Sequence, residues 1–354
     1  MSDAKAGAPT RTAAQILQTY DGPRLRIMEV CGTHTHEIFR LGIRKFLPPQ
    51  VDLISGPGCP VCVTQVGYID EALWLAGHGA TITTFGDLVR VPGTTRNLAA
   101  ARADGARVQV VYSPLDALAY AKDHPSEQVT FLSVGFETTV PAACLAVEQA
   151  RNEGVGNFSL LVANKTMPNA YAALKDSADV FLYPGHVHAI TGTALCEELV
   201  GQGVSGVLAG FTAKELLTAL AVAVTKSREG RPFFVNAYPR VVRPEGAPDA
   251  VALIERVMEP CDTEWRGLGV IPQSGLMLRE EYAAFDARKR FDVPAIEGKA
   301  NPACRCGDVL QGKCKPSDCP LFGKVCTPQT PVGACMVSGE GACSAYYQYG
   351  GDLL

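Results

Sequence analysis

Val51-Asp-Leu-Ile-Ser-Gly-Pro-Gly-Cys-Pro-Val-Cys62 joins an apolar, β-branched run to two thiols in a constrained turn. Val51–Ser55 reads as a short buried strand. Residues 64–77 place Val66, Ile69, Leu73 and Ala76 at helical spacing, so a helix is expected there. Cys59 and Cys62 are then expected at a strand-to-helix junction, where first-turn N–H groups and the helix dipole favour thiolate over thiol. A zinc knuckle completed by a second pair is the alternative for this spacing.

The same unit occurs just upstream. Leu25–Val30 reads as a strand delivering Cys31-Gly-Thr-His-Thr-His36, with a helix expected over residues 37–46 and stopped by Pro48-Pro49. In an open parallel sheet, loops after the carboxyl ends of strands share one rim, so Cys31 and the Cys59/Cys62 pair are expected to converge. His34 and His36 stand two apart, a spacing that chelates in a loop and diverges on a helix. Each also reads as a hydrogen-bonded loop residue.

Downstream the alternation continues. Strands are expected at 81–85, 108–112, 129–134, 158–163, 180–183 and 204–209, with helical segments between them. That order argues an α/β protein with parallel sheets covered on both faces. We expect two parallel-sheet α/β domains, over residues 1–130 and 131–245, and a smaller Cys-rich domain over 246–354, with the chain free to cross between lobes. In the last unit, helices are expected at 249–258 and 279–290. Two strand-end loops stand out. Gly135-Phe-Glu-Thr-Thr139 offers Glu137 as a rim carboxylate, and Pro184-Gly-His-Val-His188 offers two imidazoles. N-capping threonines and core histidines are the plainer readings of these loops. Phosphate-loop, dinucleotide and serine-hydrolase spacings are absent.

Composition bounds the function classes. A chain of 354 residues buries about three quarters of its extended surface and needs no disulfide staples. A net charge of −4 with no Lys/Arg-rich run leaves no electrostatic footprint for nucleic acid or anionic membrane. No secretory signal and no membrane-length apolar run is visible, so a cytoplasmic location is expected. Thirteen cysteines in such a chain point to metal, cluster or redox chemistry.

Seven of those cysteines crowd residues 302–345: Cys304, Cys306, Cys314, Cys319, Cys326, Cys335 and Cys343. The segment is poor in core formers, so a bound metal is expected to supply folding energy. Paired CxxC knuckles are missing. Thiolates drawn from long irregular loops favour an iron–sulfur centre over zinc.

Cys31-Gly-Thr-His-Thr-His, Gly56-Pro-Gly-Cys-Pro-Val-Cys62, Gly135-Phe-Glu-Thr-Thr, Cys319-Pro-Leu-Phe-Gly and Gly333-Ala-Cys-Met-Val-Ser-Gly-Glu-Gly-Ala-Cys343, in this order, resemble the HypD family of hydrogenase maturation factors. The resemblance implies an assembly scaffold, rather than a turnover enzyme, for the Fe(CN)2CO unit of nickel–iron hydrogenases, working with a HypC-like chaperone and a HypE-like cyanide donor. It implies two α/β domains flanking a cleft plus an iron–sulfur domain, that Cys31 anchors the iron, that Cys59 and Cys62 act as a redox pair beside it, and that His34 is the family's loop histidine. The family's cluster spacing of fourteen, six and sixteen intervening residues selects Cys304, Cys319, Cys326 and Cys343 for one 4Fe-4S cluster. Cys306, Cys314 and Cys335 are left without a task. Thr33 and Gly339 depart from the family pattern, where glycine and serine are usual, and His188 is not expected in its loop. A stand-alone iron–sulfur thiol/disulfide oxidoreductase and a zinc-binding adaptor are the rival readings.

Overall fold

Each of the eight strands expected between residues 25 and 209 forms in the computed structural model, which describes residues 11–350. They are β1 (Leu25–Glu29), β2 (Val51–Ser55), β3 (Ala80–Thr84), β4 (Val108–Val110), β5 (Gln128–Ser133), β6 (Phe158–Val162), β7 (Val180–Pro184) and β8 (Gly206–Ala209). A ninth strand, β9 (Phe234–Asn236), follows a long helix Ala213–Ser227. β3, β6 and β7 are buried at every residue, as strands covered on both faces must be.

The strands make two parallel sheets. The first has the order β2-β1-β7-β8-β9 and the second β4-β3-β5-β6. The protein is thus α/β with two parallel sheets, as expected. Sheet membership does not follow a division at residue 130. β3 and β4 lie before that point, β5 and β6 after it, and all four share the second sheet. The chain makes β1 and β2, leaves to build the whole second sheet, and returns with β7 to pair against β1. The ends of the expected first and third domains, residues 1–10 and 351–354, lie outside the described residues.

The unit after residue 245 differs in kind from the sequence reading. The helix expected at 249–258 is present as Pro248–Val257, but an antiparallel hairpin follows it, β10 (Met258–Trp265) and β11 (Gly269–Leu278). The alternating burial of β10 is the period-2 signal that the reading passed over. Gly267 and Gly269 turn the hairpin with φ of 81° and 76°, a region open to glycine. In place of a helix over 279–290 there is a 3₁₀ turn, Glu280–Phe285, and one turn of helix, Ala287–Arg290.

The Cys-rich tail has little regular structure beyond the short helices Cys306–Leu310 and Ala342–Tyr349. It does not stand on a core of its own. Cys306, Cys326, Cys335 and Cys343 share one apolar cluster with Cys59, Cys62, Val63 and Trp265. Tyr346 meets Phe39 edge-on at 5.4 Å, holding the last helix against the helix that follows Cys31.

Candidate functional site

In the first sheet β2 lies on one side of β1 and β7 on the other, so the chain reverses direction across the sheet at the β1/β7 pair. Ligand crevices of open parallel sheets form at such a point, outside the carboxyl ends of the strands. Cys31 leaves the end of β1 and His186 leaves the end of β7. The Cys31 sulfur lies 3.6 Å from His186 Nε2.

Local structure holds both groups. Cys31 is the N-cap of helix Gly32–Arg40, with extended backbone at φ −148° and ψ 125°. The Cys31 side chain makes no capping hydrogen bond, yet the nearby N–H groups of His34 and Thr33 favour its thiolate. Burial wins: it pushes the Cys31 thiol up to about 12, and the charge of Glu340 adds to the rise. His186 sits in the first turn of helix Gly185–Thr191 and stacks on Phe211 at 4.8 Å. Burial holds its pKa below the usual histidine range, so it is a neutral imidazole beside a neutral thiol.

The Cys59/Cys62 loop abuts this pair. Gly32 N donates to Gly58 O at 2.9 Å, and a Cβ on Gly58 would run into the Cys31 backbone. Only glycine lets the two loops approach so closely. Cys59 caps the short helix Pro60–Val63 and its sulfur accepts from Cys62 N at 3.2 Å. Cys59 and Cys62 are joined as a disulfide and both are buried, so the pair stands in its oxidised form.

The two loop histidines lie on a helix, since Gly32–Arg40 begins directly after Cys31, and they diverge. His34 is wholly buried, with Nε2 3.1 Å from Gly210 O and Nδ1 unpartnered; His36 Nδ1 lies 3.2 Å from Gly339 O. Burial takes His34 down to about 3, so it stays neutral. Glu137 is buried, accepts from Met167 N at 2.8 Å, and leaves Oε2 without a partner. Burial raises its carboxyl to about 7. His188 belongs to the core: Gly192 O lies 3.0 Å from its Nδ1, and Tyr171 Oη and the Cys196 sulfur lie 3.4 and 3.5 Å from its Nε2.

A second thiol grouping lies in the tail. Cys304, Cys319, Cys326 and Cys343 line one small cavity together with Cys306 and Cys335, walled by Leu321, Phe322 and Met336. The sulfurs of Cys306 and Cys335 are 2.7 Å apart. Cys314 lines a different groove. Residues 60–63 pack against Ala334–Met336, and Arg266 donates from N to Val63 O and from Nε to Thr64 O. The tail dithiol thus sits against the segment that carries Cys62.

Sequence reasoning did not place four residues that the fold brings to these two groupings. His186 was visible only as one imidazole of a pair, and the strand order that brings it to Cys31 is a nonlocal fact. Glu340 accepts from Thr33 Oγ1 at 2.6 Å and closes over Gly32 from a segment three hundred residues away in sequence. Cys306 and Cys335 had no spacing to mark them as partners.

The family model described as HypD, Hydrogenase formation hypA family, matches residues 9–350. The chain belongs to the HypD family. Among its relatives is hydrogenase expression/formation protein HupD of Azotobacter chroococcum mcd 1, 45% identical over 97% of this chain and 95% of that protein. Hydrogenase maturation factor HypD of Azotobacter vinelandii is 44% identical over the same shares. Its counterpart in Escherichia coli K12 is 43% identical over 95% of this chain and 92% of that protein. The matched region takes in the Cys31 rim and the tail cysteines alike.

The donor chemistry of the tail cavity suits the group that the HypD resemblance implies. Its donors are all sulfur, its walls are apolar, and Val332 N donates to the Cys326 sulfur at 3.3 Å, as amides do around iron–sulfur centres. Among the described residues no three His, Cys, Asp or Glu side chains are spaced for a single metal ion. Four corners of a cubane take four separated thiolates, so single-ion spacing is not the requirement. Among the described residues no helix is long and apolar enough to cross a membrane.

Proposed function

We propose that this chain is a cytoplasmic scaffold on which the Fe(CN)2CO unit of nickel–iron hydrogenases is assembled, together with a HypC-like chaperone and a HypE-like cyanide donor. The observation that carries the reading is the Cys31–His186 pair at the strand reversal of the first sheet, in a chain of the HypD family. Cys31 anchors the iron, which is cargo. A soft thiolate suits low-spin iron(II) bearing strong-field ligands and can release it to a partner. The buried thiol must lose its proton on binding the cation, and His186 Nε2 is placed to receive it.

Cys59 and Cys62 supply two electrons as dithiol and take them back as disulfide. Cys304, Cys319, Cys326 and Cys343 would hold a 4Fe-4S cluster, which supplies single electrons when bound. Cys306 and Cys335 lie between that cavity and the Cys62 segment, a placement that suits a second dithiol passing reducing equivalents inward. Glu137 and His34 shape the buried side of the site, His34 as a neutral imidazole and Glu137 as a carboxyl poised to exchange a proton near neutral pH.

Infrared spectroscopy of protein purified anaerobically with its HypC-like partner tests the reading. Bands of iron-bound CN and CO are expected, and their absence from a complex containing iron would remove it. The Cys59–Cys62 disulfide also supports a second reading, a stand-alone iron–sulfur thiol/disulfide oxidoreductase. Catalytic turnover of a disulfide substrate by the isolated chain would favour that reading.

A further inference from the structure

β2 is the edge of the first sheet, and its register decides which backbone groups are already used. Leu25 N donates to Gln50 O and Gly56 N donates to Glu29 O, with Leu25 opposite Val51 and Glu29 opposite Ser55. In a parallel ladder of this register, residues 50, 52, 54 and 56 bond to β1 while Val51, Leu53 and Ser55 point away from the sheet. Two of the outward groups are taken: Val51 N donates to Pro48 O, and Arg44 Nη1 donates to Leu53 O. The N–H groups of Leu53 and Ser55 and the carbonyls of Val51 and Ser55 have no hydrogen-bond partner among the described residues.

A groove of about 490 Å³ runs along this edge, lined by all five residues of β2 and by Lys313, Lys315 and Tyr346. A bare strand edge is a template for another strand, and proteins that do not use one blunt it with proline, lysine or a bulge. β2 carries none of these. Among the charged groups of the groove, Arg44 is paired with Glu29, Asp52 with Arg24, and Asp318 accepts from Lys315 N. Lys313 and Lys315 are exposed and form no ion pair among the described residues.

We propose that this groove binds an extended, acidic segment of a maturation partner, added as a further strand beside β2. A docked helix would leave the Leu53 and Ser55 amides unpaired, whereas a strand takes up both. The carboxyl end of β2 runs directly into Gly56–Cys62, so a partner held here stands one loop from the Cys59/Cys62 pair. The identity of the partner rests on the proposed function; the docking mode rests on the strand edge.

Amide-resolved hydrogen exchange on the full chain, alone and with the HypC-like or the HypE-like protein added, tests the proposal, with native mass spectrometry reporting binding. Slowing of the Leu53 and Ser55 amides by at least tenfold is expected with one of the two. Ser55→Pro removes the outward N–H and Ser55→Ala controls for loss of the hydroxyl bond to Glu29. The proline variant is expected to bind roughly tenfold more weakly than the alanine variant, the worth of one hydrogen bond. Should the proline variant not fold, Lys313→Glu with Lys315→Glu on the surface is expected to weaken binding by a similar factor. Binding without protection at these amides, or binding indifferent to the substitutions, overturns this inference and leaves the proposed function standing. Protection that rises with the concentration of the chain alone assigns the edge to a second copy and also overturns it. Failure of both proteins to bind removes the inference and the proposed function together.

Discussion

Cys31 Sγ and His186 Nε2 stand 3.6 Å apart although 155 residues separate them, and the contact exists because β1 and β7 are neighbours in one sheet. With Cys31 held as a thiol by burial and His186 neutral, the pair is a proton donor facing an acceptor. His186→Ala is expected to slow iron loading on Cys31 by about 10²-fold at neutral pH, the usual worth of a positioned base. Loading should recover as the pH is raised. Infrared band intensity measured against pH checks this, and a pH-independent loss would mean that the imidazole only fills space.

Cys31→Ala is expected to abolish the CN and CO bands of the complex while leaving the fold unchanged by circular dichroism. Bands of undiminished intensity would take the iron from Cys31.

Replacing Cys59 or Cys62 by Ala removes the disulfide and is expected to stop hydrogenase maturation without altering the visible absorbance of the 4Fe-4S cluster proposed for the tail. Retained hydrogenase activity in either variant would remove the redox role of the pair.

Glu137 has a carboxyl raised by burial to about 7 in the folded protein. A carboxyl with a raised pKa binds more protons folded than unfolded, so its contribution to stability falls as pH climbs from near 4.5 toward 7 and levels off above. Glu137→Gln keeps an acceptor for Met167 N and removes the charge. Its stability is expected to match that of the parent below pH 4.5 and to exceed it by roughly 3 kcal/mol above pH 8. Denaturant unfolding across that range checks the sign.

Gly58→Ala is expected to force the Cys59/Cys62 loop away from Cys31 and to cost about 1–3 kcal/mol, the scale of an overpacked contact. Thermal unfolding measures the cost. Band intensity in the same variant shows whether loop contact matters to the site.

The local elements were legible because their signals are local. Apolar runs such as Val180–Tyr183 and helical spacing such as that after Val66 can be read residue by residue, and Gly56-Pro-Gly-Cys carries its turn in its composition. What could not be read was adjacency. Nothing in Pro184-Gly-His-Val-His188 tells that β7 returns to β1, so His186 and His188 looked equivalent, although one meets Cys31 and the other is sealed among Tyr171 and Cys196. A helix was expected over residues 37–46 from the apolar spacing of Ile38, Phe39, Leu41, Ile43 and Phe46. The helix instead spans Gly32–Arg40, a 3₁₀ turn follows at Ile43–Phe46, and His34 falls on the buried side. The hairpin after residue 257 was hidden by Pro260 and Pro272, which strand rules discourage, yet a two-stranded ribbon leaves each strand a free edge that tolerates them.

The excursion of the chain between β2 and β7 sets an order of events during synthesis. A nascent chain that has emerged only as far as β6 carries Cys31, Cys59 and Cys62 but neither His186 nor the Glu340 segment. Its first sheet is a two-stranded fragment with one edge of β1 waiting for β7. The thiols therefore exist long before the pocket does. The pairing of Cys31 with His186 and the bond from Thr33 to Glu340 wait for later parts of the chain, so only a fully made molecule holds them all at once.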